Sequence, residues 1–420
     1  MSRSVLFLSS IWPEPKSSAA GVRTLGLLNN LLHDGWRVGF GCSGRKTENT
    51  TIPDGIEEYR VRFNQSNDMK HAISTLKPTA VIFDRYFAEE AFSSRLRDLA
   101  PEAVRILDMQ DLHSLRRHRQ ERHTEGSEVS ATSFPSPVSS SHLQRELASI
   151  HRSDLTIVCS RVEKKLLEES YGIPRHKLVL GSFFSTVAEG GAGYDDETHG
   201  FDQRNNFVSI GGFKHPPNVD SVIHLAEEVW PRISEELPDA KLHVYGAYPT
   251  REVMKYHNPS ANILVKGFTQ SLTPPLLSNR ILLAPLRFGA GIKGKIVDAF
   301  RYGLPVVTTP IGAEGIGTMK DFGGSVTRQN SDPFEFAKEA INLYSDRDAF
   351  QVARTNARNI LETAFDEKTN LDAINEAIQQ VSMSLQEQRS HDVFQNILWH
   401  QNNRATDYFS RWVELKESLK

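Results

Sequence analysis

The sequence predicts an α/β fold of two stacked domains, and three observations carry that prediction. Short apolar runs alternate with amphipathic segments along most of the chain, as strands leading into helices do. The runs are largely apolar, which suits parallel strands covered on both faces. A stretch rich in glycine and acidic residues, 189–203, interrupts the rhythm, after which the pattern restarts. A length of 420 residues fits two or three domains.

In the first half, residues 5–8 read as a strand. Residues 22–32 follow as a helix, with Leu25, Leu28 and Leu32 at helical spacing, and Gly35 ends it. Residues 36–40, 80–83, 104–107 and 155–159 are further strands. Residues 119–140 are polar and small with no period, so a mobile surface loop is expected, with a lid as the alternative. A helix resumes near 142–150.

The second half opens with a strand, 206–210, running into Gly211-Gly212. A helical region follows at 219–237, then strands at 241–245, 262–265 and 281–284. Residues 292–302 read as a helix and 305–308 as a short strand. Helices are expected at 333–344, 349–364 and 371–384. The last segment, 391–415, carries Phe394, Ile397, Leu398, Trp399, Tyr408, Phe409 and Trp412; exposed aromatics on that scale are unusual, so this tail is expected to pack on the body. The expected division is a first domain at 1–188, a linker at 189–204, a second domain at 205–384, and a tail at 385–420. The tail would either return across the cleft or lie along the first domain.

Hydrophobic residues make up 39% of the chain and charged residues 24%, an ordinary mix for a soluble protein, and a net charge of -3 gives no global basic field for nucleic acid. The two cysteines, Cys42 and Cys159, sit in apolar runs and read as core thiols rather than a disulfide scaffold or zinc site. The apolar N-terminal run is too short for a membrane span, lacks a signal-peptide cleavage pattern, and no stretch reaches ~18 apolar residues. A cytoplasmic setting is expected, compatible with peripheral attachment to a membrane, although Arg23, Arg37, Arg45 and Lys46 are too scattered to argue for it.

The most informative stretch is 283–300. A buried strand delivers the chain to Gly289, Gly291 and Gly294, and a helix begins at about Ile292. Glycines keep side chains away, so backbone N–H groups and the helix N-terminus can approach an anion. Lys295, Asp298 and Tyr302 share one helical stripe: the lysine can meet phosphate and the aspartate sugar hydroxyls. Arg287 and Lys293 are further cations around the turn. The plainer alternative is an ordinary loop–helix junction with Lys295 and Asp298 as a solvated pair. The following turn, 309–315, also lies at a strand's carboxyl end, where Glu314 could face a donor sugar.

Three other strand ends join them. Gly212 and Lys214 open the second domain's first turn, where Lys214 could clamp a diphosphate and Asn218 could cap a helix. Gly21 permits close approach at the first domain's first helix, without the G-x-G-x-x-G of a dinucleotide fold. Asp108, Asp111 and His113 cluster beyond another strand, without a fixed metal-ligand pattern; His113 or Asp111 could serve a sugar hydroxyl.

These residues resemble a family. Gly211-Gly212 with Pro217-Asn218-Val219-Asp220, the 286–300 segment and 306–315 are similar to the nucleotide-binding domain of retaining GT-B glycosyltransferases of the glycogen-synthase and mannosyltransferase-like group, family 4. The likeness covers most of 206–365. It is weaker in 1–188, where it rests on the Gly21 turn, the 108–113 loop, and Ser160 with Glu163. It implies two Rossmann-like domains facing a cleft, the first for the acceptor and the second for the donor. The donor would be a UDP- or GDP-linked sugar, with no cofactor and no metal, and the acceptor a glycan, lipid-linked or other hydroxyl. Lys214, Lys295, Asp111 and His113 would be the catalytic candidates. Gly21, Gly212, Arg287, Gly289, Gly291, Lys293, Gly294, Lys295, Asp298 and Glu314 would form the donor site. Ala290 stands where the family often has its first glutamate, and Gln110-Asp111 where it often has His-Asp. A sugar-nucleotide epimerase or hydrolase, and an inactive nucleotide-sugar-binding scaffold, are the alternatives; product analysis without acceptor, and binding without turnover, distinguish them.

Overall fold

The structure is a computed structural model that describes residues 3–183, 188 and 191–419. Two parallel sheets form its centre. The first comprises β1 (Ser4–Ser9), β2 (Arg37–Cys42), β3 (Glu57–Arg60), β4 (Ala80–Asp84), β5 (Val104–Asp108), β6 (Leu155–Val158) and β7 (Leu178–Leu180), in the order β3-β2-β1-β4-β5-β6-β7. The second comprises β8 (Asn205–Ile210), β9 (Leu242–Tyr245), β10 (Ile263–Gly267), β11 (Asn279–Ala284), β12 (Val306–Thr308) and β13 (Gly324–Val326), in the order β10-β9-β8-β11-β12-β13. Strand order reverses between β1 and β4 and between β8 and β11. Such switch points leave a crevice outside the carboxyl ends of the strands, where α/β proteins bind ligands.

Both faces of each sheet are covered, which is why β1, β4, β5 and β6 are buried along their whole length. Leu6, Leu8, Val81 and Phe83 pack on one side of the first sheet, and Val5, Phe7, Phe40 and Ile82 on the other. Cys42 and Cys159 are buried free thiols, and burial pushes the Cys42 thiol up to about 12. Of the 219–237 region, Pro216–His224 and Trp230–Glu236 are α-helical and Leu225–Val229 forms a π turn just before Pro231, which has no N–H for the regular ladder.

Three expectations meet differences. Residues 119–124 belong to a helix, His113–Thr124, and the chain beyond it is anchored: Val129 is buried beside Phe288 and Ile311, and its carbonyl accepts from Asn330 Nδ2 at 2.6 Å. The segment is thus tied to the second domain rather than free on the surface. Of the expected linker, Glu189 and Gly190 lie outside the described residues, and Asp196–His199 is a short helix. The Glu367–His391 helix, expected in the second domain as far as 384, buries Ile374, Ile378, Val381 and Leu385 against the first sheet.

The Val393–Ser418 helix lies along the first domain, against the Arg85–Leu99 and Ser141–Arg152 helices. It does so largely with polar side chains and with half-buried Leu398 and Trp399, the latter 4.0 Å under Arg105, whereas Phe394, Ile397, Tyr408, Phe409 and Trp412 remain exposed. The tail therefore packs, but of its aromatics only Trp399 takes part.

Candidate active site

The chain leaves β11 into the glycine turn, where Leu286 and Phe288 are buried and hold the turn against the domain. Gly291 has φ +66°, and a Cβ there would lie 2.8 Å from the Asp111 Cβ of the first domain, so both its conformation and its neighbour exclude a side chain. The helix begins at Gly294, with Lys293 as its N-cap and no side chain capping the first turn. A Cβ on Gly294 would lie 2.6 Å from Ala19 Cβ, the first residue of the Ala19–His33 helix. Two helix N-termini, one from each domain, therefore meet here, and both direct positive dipole ends toward the same region. Gly21 packs on the Glu14 backbone within the first of them, and Gly212 comes up to the Ser17 carbonyl.

Lys295 and Asp298 do not pair. Lys295 Nζ donates to Asn218 Oδ1 at 2.7 Å, and Asn218 Nδ2 donates to the Gly212 carbonyl at 2.9 Å, so the turns after β8 and β11 are bonded at the switch point. Burial depresses the Lys295 ammonium to about 7 and raises the Asp298 carboxyl to about 6, the latter against the opposing pull of Arg301. Lys293 is buried, donates to the Gly291 carbonyl at 2.8 Å and lies 3.9 Å from Glu314; burial depresses it to about 8 despite that carboxylate. Lys214 sits 3.4 Å over the Tyr248 ring, whose hydroxyl donates to Glu14 Oε2 at 2.8 Å across the domain boundary.

Two expected ligand contacts are engaged elsewhere. Arg287 donates to Asp220 at 2.6 and 3.0 Å, so its charge is matched within its own domain instead of facing the turn. Glu314, expected to face a donor sugar, gives both oxygens to Arg119 of the first domain at 2.7 and 2.8 Å, and Arg119 also donates to the Gly289 carbonyl at 2.9 Å.

A second carboxylate joins the domains. Glu163 accepts from the Gly291 N–H at 2.7 Å and from the Leu112 N–H at 3.2 Å. Burial, and then the nearby Asp111 carboxylate, push it up to about 8. Asp111 lies 3.1 Å from His113 Nε2 and 3.2 Å from Arg116 Nε. Burial would raise Asp111, but Arg116 and His113 overcome that and hold it well below the usual carboxylate range. Burial, then Arg116, depress His215 to about 4, with the two side chains 3.3 Å apart. His113, Arg116, Lys214 and His215 line an interdomain cavity of about 660 Å³, with Tyr86 and His142 on the first-domain side. Among the described residues no three His, Cys, Asp or Glu side chains are grouped as metal ligands would be.

Residues 204–346 match the family described as glycosyl transferases group 1. A protein of Klebsiella pneumoniae described as an uncharacterized 44.6 kDa protein in the cps region is 30% identical over 176 residues, 40% of this chain and 45% of that protein. The match thus spans less than half the length of this curated relative. Sucrose-phosphate synthase of Thermosynechococcus elongatus superposes over 91% of this chain and 100% of its own, with a TM-score of 0.68 at 13% identity. HepE of Anabaena, in complex with UDP and glucose, covers 90% and 100% with a TM-score of 0.66 at 13% identity. A glycosyltransferase of Rickettsia africae covers 90% and 98% with a TM-score of 0.63 at 12% identity.

The fold is GT-B. At such identities the structural likeness is one of fold, and the group 1 relationship rests on the second domain. Within this GT-B frame, Lys295, Lys293, Asp298, Gly291 and Gly294 gather at the second domain's switch point, while Asp111, His113 and Lys214 approach from around the cavity. Arg119, Arg116 and His215 are absent from the expected set. The His113–Thr124 helix is polar at nearly every position, so no apolar period announces it; Leu115 packs in its own domain's core, and Arg119 is buried by partners from the opposite domain. Glu163 is visible in the sequence only through the family resemblance.

Proposed function

We propose that the protein is a retaining, metal-independent glycosyltransferase that moves a sugar from a UDP- or GDP-linked donor to a hydroxyl acceptor, glycan or lipid-linked. One observation carries this reading: an uncapped helix N-terminus and a desolvated lysine meet at the switch point of the second sheet and face the first domain. The group 1 match over 204–346 and the UDP seen with HepE support a nucleotide-sugar donor.

The step breaks the bond between the anomeric carbon and the diphosphate oxygen and forms one to the acceptor oxygen on the same face. The acceptor proton passes to the departing phosphate. Charge grows on the diphosphate as the bond breaks, and preorganised donors at that place stabilise it. Backbone N–H groups at Gly294 and Lys295, the Lys295 ammonium and Lys214 from across the cavity serve that role. Lys293, held by the Gly291 carbonyl and Glu314, sets the turn's shape and charge. Asp298, a turn further along the helix, accepts from the ribose. Asp111 orients His113 toward the acceptor in the cavity. Arg119–Glu314 and Glu163–Gly291 hold the domains together, which excludes water from the reacting centre.

Calorimetry with free UDP and GDP tests this. One of them binds the protein, and Asp298→Ala weakens that binding about tenfold, or ~1.4 kcal/mol. Failure of both nucleotides to bind overturns the donor site, and unchanged affinity in the variant removes Asp298 from the ribose.

A further inference from the structure

The C-terminal helix is turned inside out. Its polar residues face the protein: Gln395 donates to the Ser153 carbonyl at 3.0 Å and to Asp154 at 2.9 Å, and Ser410 accepts from Arg95 at 2.6 Å. Leu398 and Trp399 are half-buried, Trp399 under the Arg105 guanidinium at 4.0 Å, but six other large apolar residues face away. Phe394, Ile397, Tyr408, Phe409, Trp412 and Leu415 are between 53% and 70% exposed. At ~100° per residue these six fall within an arc of about 120°, and the Val393–Ser418 helix that carries them is roughly 39 Å long. Scattered surface apolar residues need no explanation, but two exposed apolar clusters on one helix face, Phe394 with Ile397 and Tyr408 with Phe409, Trp412 and Leu415, do.

We propose that this ridge lies in the interface of an anionic lipid bilayer. The charge on the helix is sorted to suit that surface. Its acids are drawn toward the protein: Asp392 caps the helix and pairs with Lys177 at 2.8 Å, and Asp407 is buried beside Arg411. Glu414 accepts from Ser66 at 2.6 and 2.9 Å, and Glu417 from Gln65 at 2.9 Å. The cations stay outside. Arg411, exposed although it pairs with Asp407 at 3.0 Å and Asp98 at 3.1 Å, borders one side of the arc. Lys416 lies toward the other, exposed, with its ammonium 5.0 Å over the Trp412 ring.

Tryptophan, tyrosine and phenylalanine on one face with cations beside them is the pattern of a helix lying in the headgroup layer. Among the described residues no helix is long and apolar enough to cross a membrane, so the contact is lateral. A second copy fits less well. Lys416 sits on the ridge itself with no carboxylate partner among the described residues, so two ridges facing each other about a two-fold axis would desolvate it without a counter-ion.

Co-sedimentation of the whole protein with vesicles tests the proposal. The protein pellets with vesicles of equal parts phosphatidylglycerol and phosphatidylcholine, and several-fold less with phosphatidylcholine alone. The double variant Phe409→Ser with Trp412→Ser, whose side chains are exposed, keeps the wild-type melting temperature and loses about tenfold or more in partitioning. Phe394→Ser, about four helical turns away, gives a smaller loss in the same direction. A protein that stays in the supernatant with both vesicle types overturns the proposal. So does a dimer in sedimentation equilibrium that the double variant dissociates, which would assign the ridge to a second copy.

Discussion

The molecule buries charge at two sheet ends, and the two clusters are built differently. Beyond the first sheet, Arg23 meets both oxygens of Asp108 at 2.6 Å and donates to the Gly181 carbonyl at 2.8 Å. Gln110 donates to Asp108 at 3.0 Å, and Ser9 closes the network on Asp84 at 2.7 Å. Each charge there faces an opposite one or a hydrogen-bond partner. Beyond the second sheet, half-buried Lys295 donates to the Asn218 amide and faces no carboxylate among the described residues, and half-buried Asp298 is desolvated with Arg301 as its counterweight. A matched network holds a structure in place, whereas a desolvated lysine without a counter-ion is held ready for one that arrives. The contrast teaches that burial of charge alone does not mark a site; the missing partner does.

The comparison breaks first on stability. Arg23→Ala leaves Asp108 buried without its cation, a change that costs about 3–5 kcal/mol when one partner of a buried pair is removed. Burial already raises the Asp108 carboxyl and Arg23 opposes it, so the variant's aspartate takes up a proton more readily. The loss measured by urea unfolding is therefore largest near neutral pH and shrinks as pH falls. A variant as stable as the wild type at pH 7 would mean that this network does not hold the first domain together.

Lys295→Ala does the opposite. Burial opposes its charge, so removing it leaves the melting temperature unchanged or raises it. Turnover falls instead. Loss of one preorganised donor to a developing oxyanion costs about 10²–10³ in rate, and a similar loss is expected here with the donor sugar that binds. Wild-type turnover in the folded variant would place Lys295 outside the site, and unfolding would place it in the first cluster's class.

Much of this was within reach of the residues themselves. Strands such as β1, β8 and β11 announce themselves as apolar runs ending in glycine or small polar residues, and the 285–295 turn stands out because glycines and cations interrupt such a run. Two such halves give the pair of α/β domains, and the family resemblance of the second half gives them the GT-B frame. Neighbours set by the opposite domain are harder to read. Arg119 sits in a stretch that looks like a solvated loop, yet it is buried because Glu314 and the Gly289 carbonyl come to it from 170 or more residues away. Arg287 looks like a phosphate ligand by position, but Asp220 lies within reach on the adjoining turn and takes its charge. The tail shows the same limit from the other side. Its aromatic content argues for burial, and only the placement of Gln395, Ser410 and Glu414 reveals which face was used.

The finest test of the comparison is its pH dependence. Free Lys295 titrates near 7, so above that pH an increasing fraction is neutral. A diphosphate beside it favours the charged form and raises its pKa, so binding above pH 7 takes up a proton. The affinity for free nucleoside diphosphate therefore falls as pH rises from 7, by up to about tenfold per pH unit until the bound-state pKa is reached. Lys293, depressed to about 8, adds a later component of the same sign. Lys295→Arg separates them, because a guanidinium stays charged across the range and removes the earlier fall. Calorimetry in two buffers of different ionisation heat reads the proton uptake directly. Affinity that is flat between pH 7 and 9, or equally steep in Lys295→Arg, would mean that the lysine meets no phosphate. Arg23 and Asp108, matched to each other, contribute nothing to this profile, so the same titration on an Arg23→Lys protein keeps the wild-type slope.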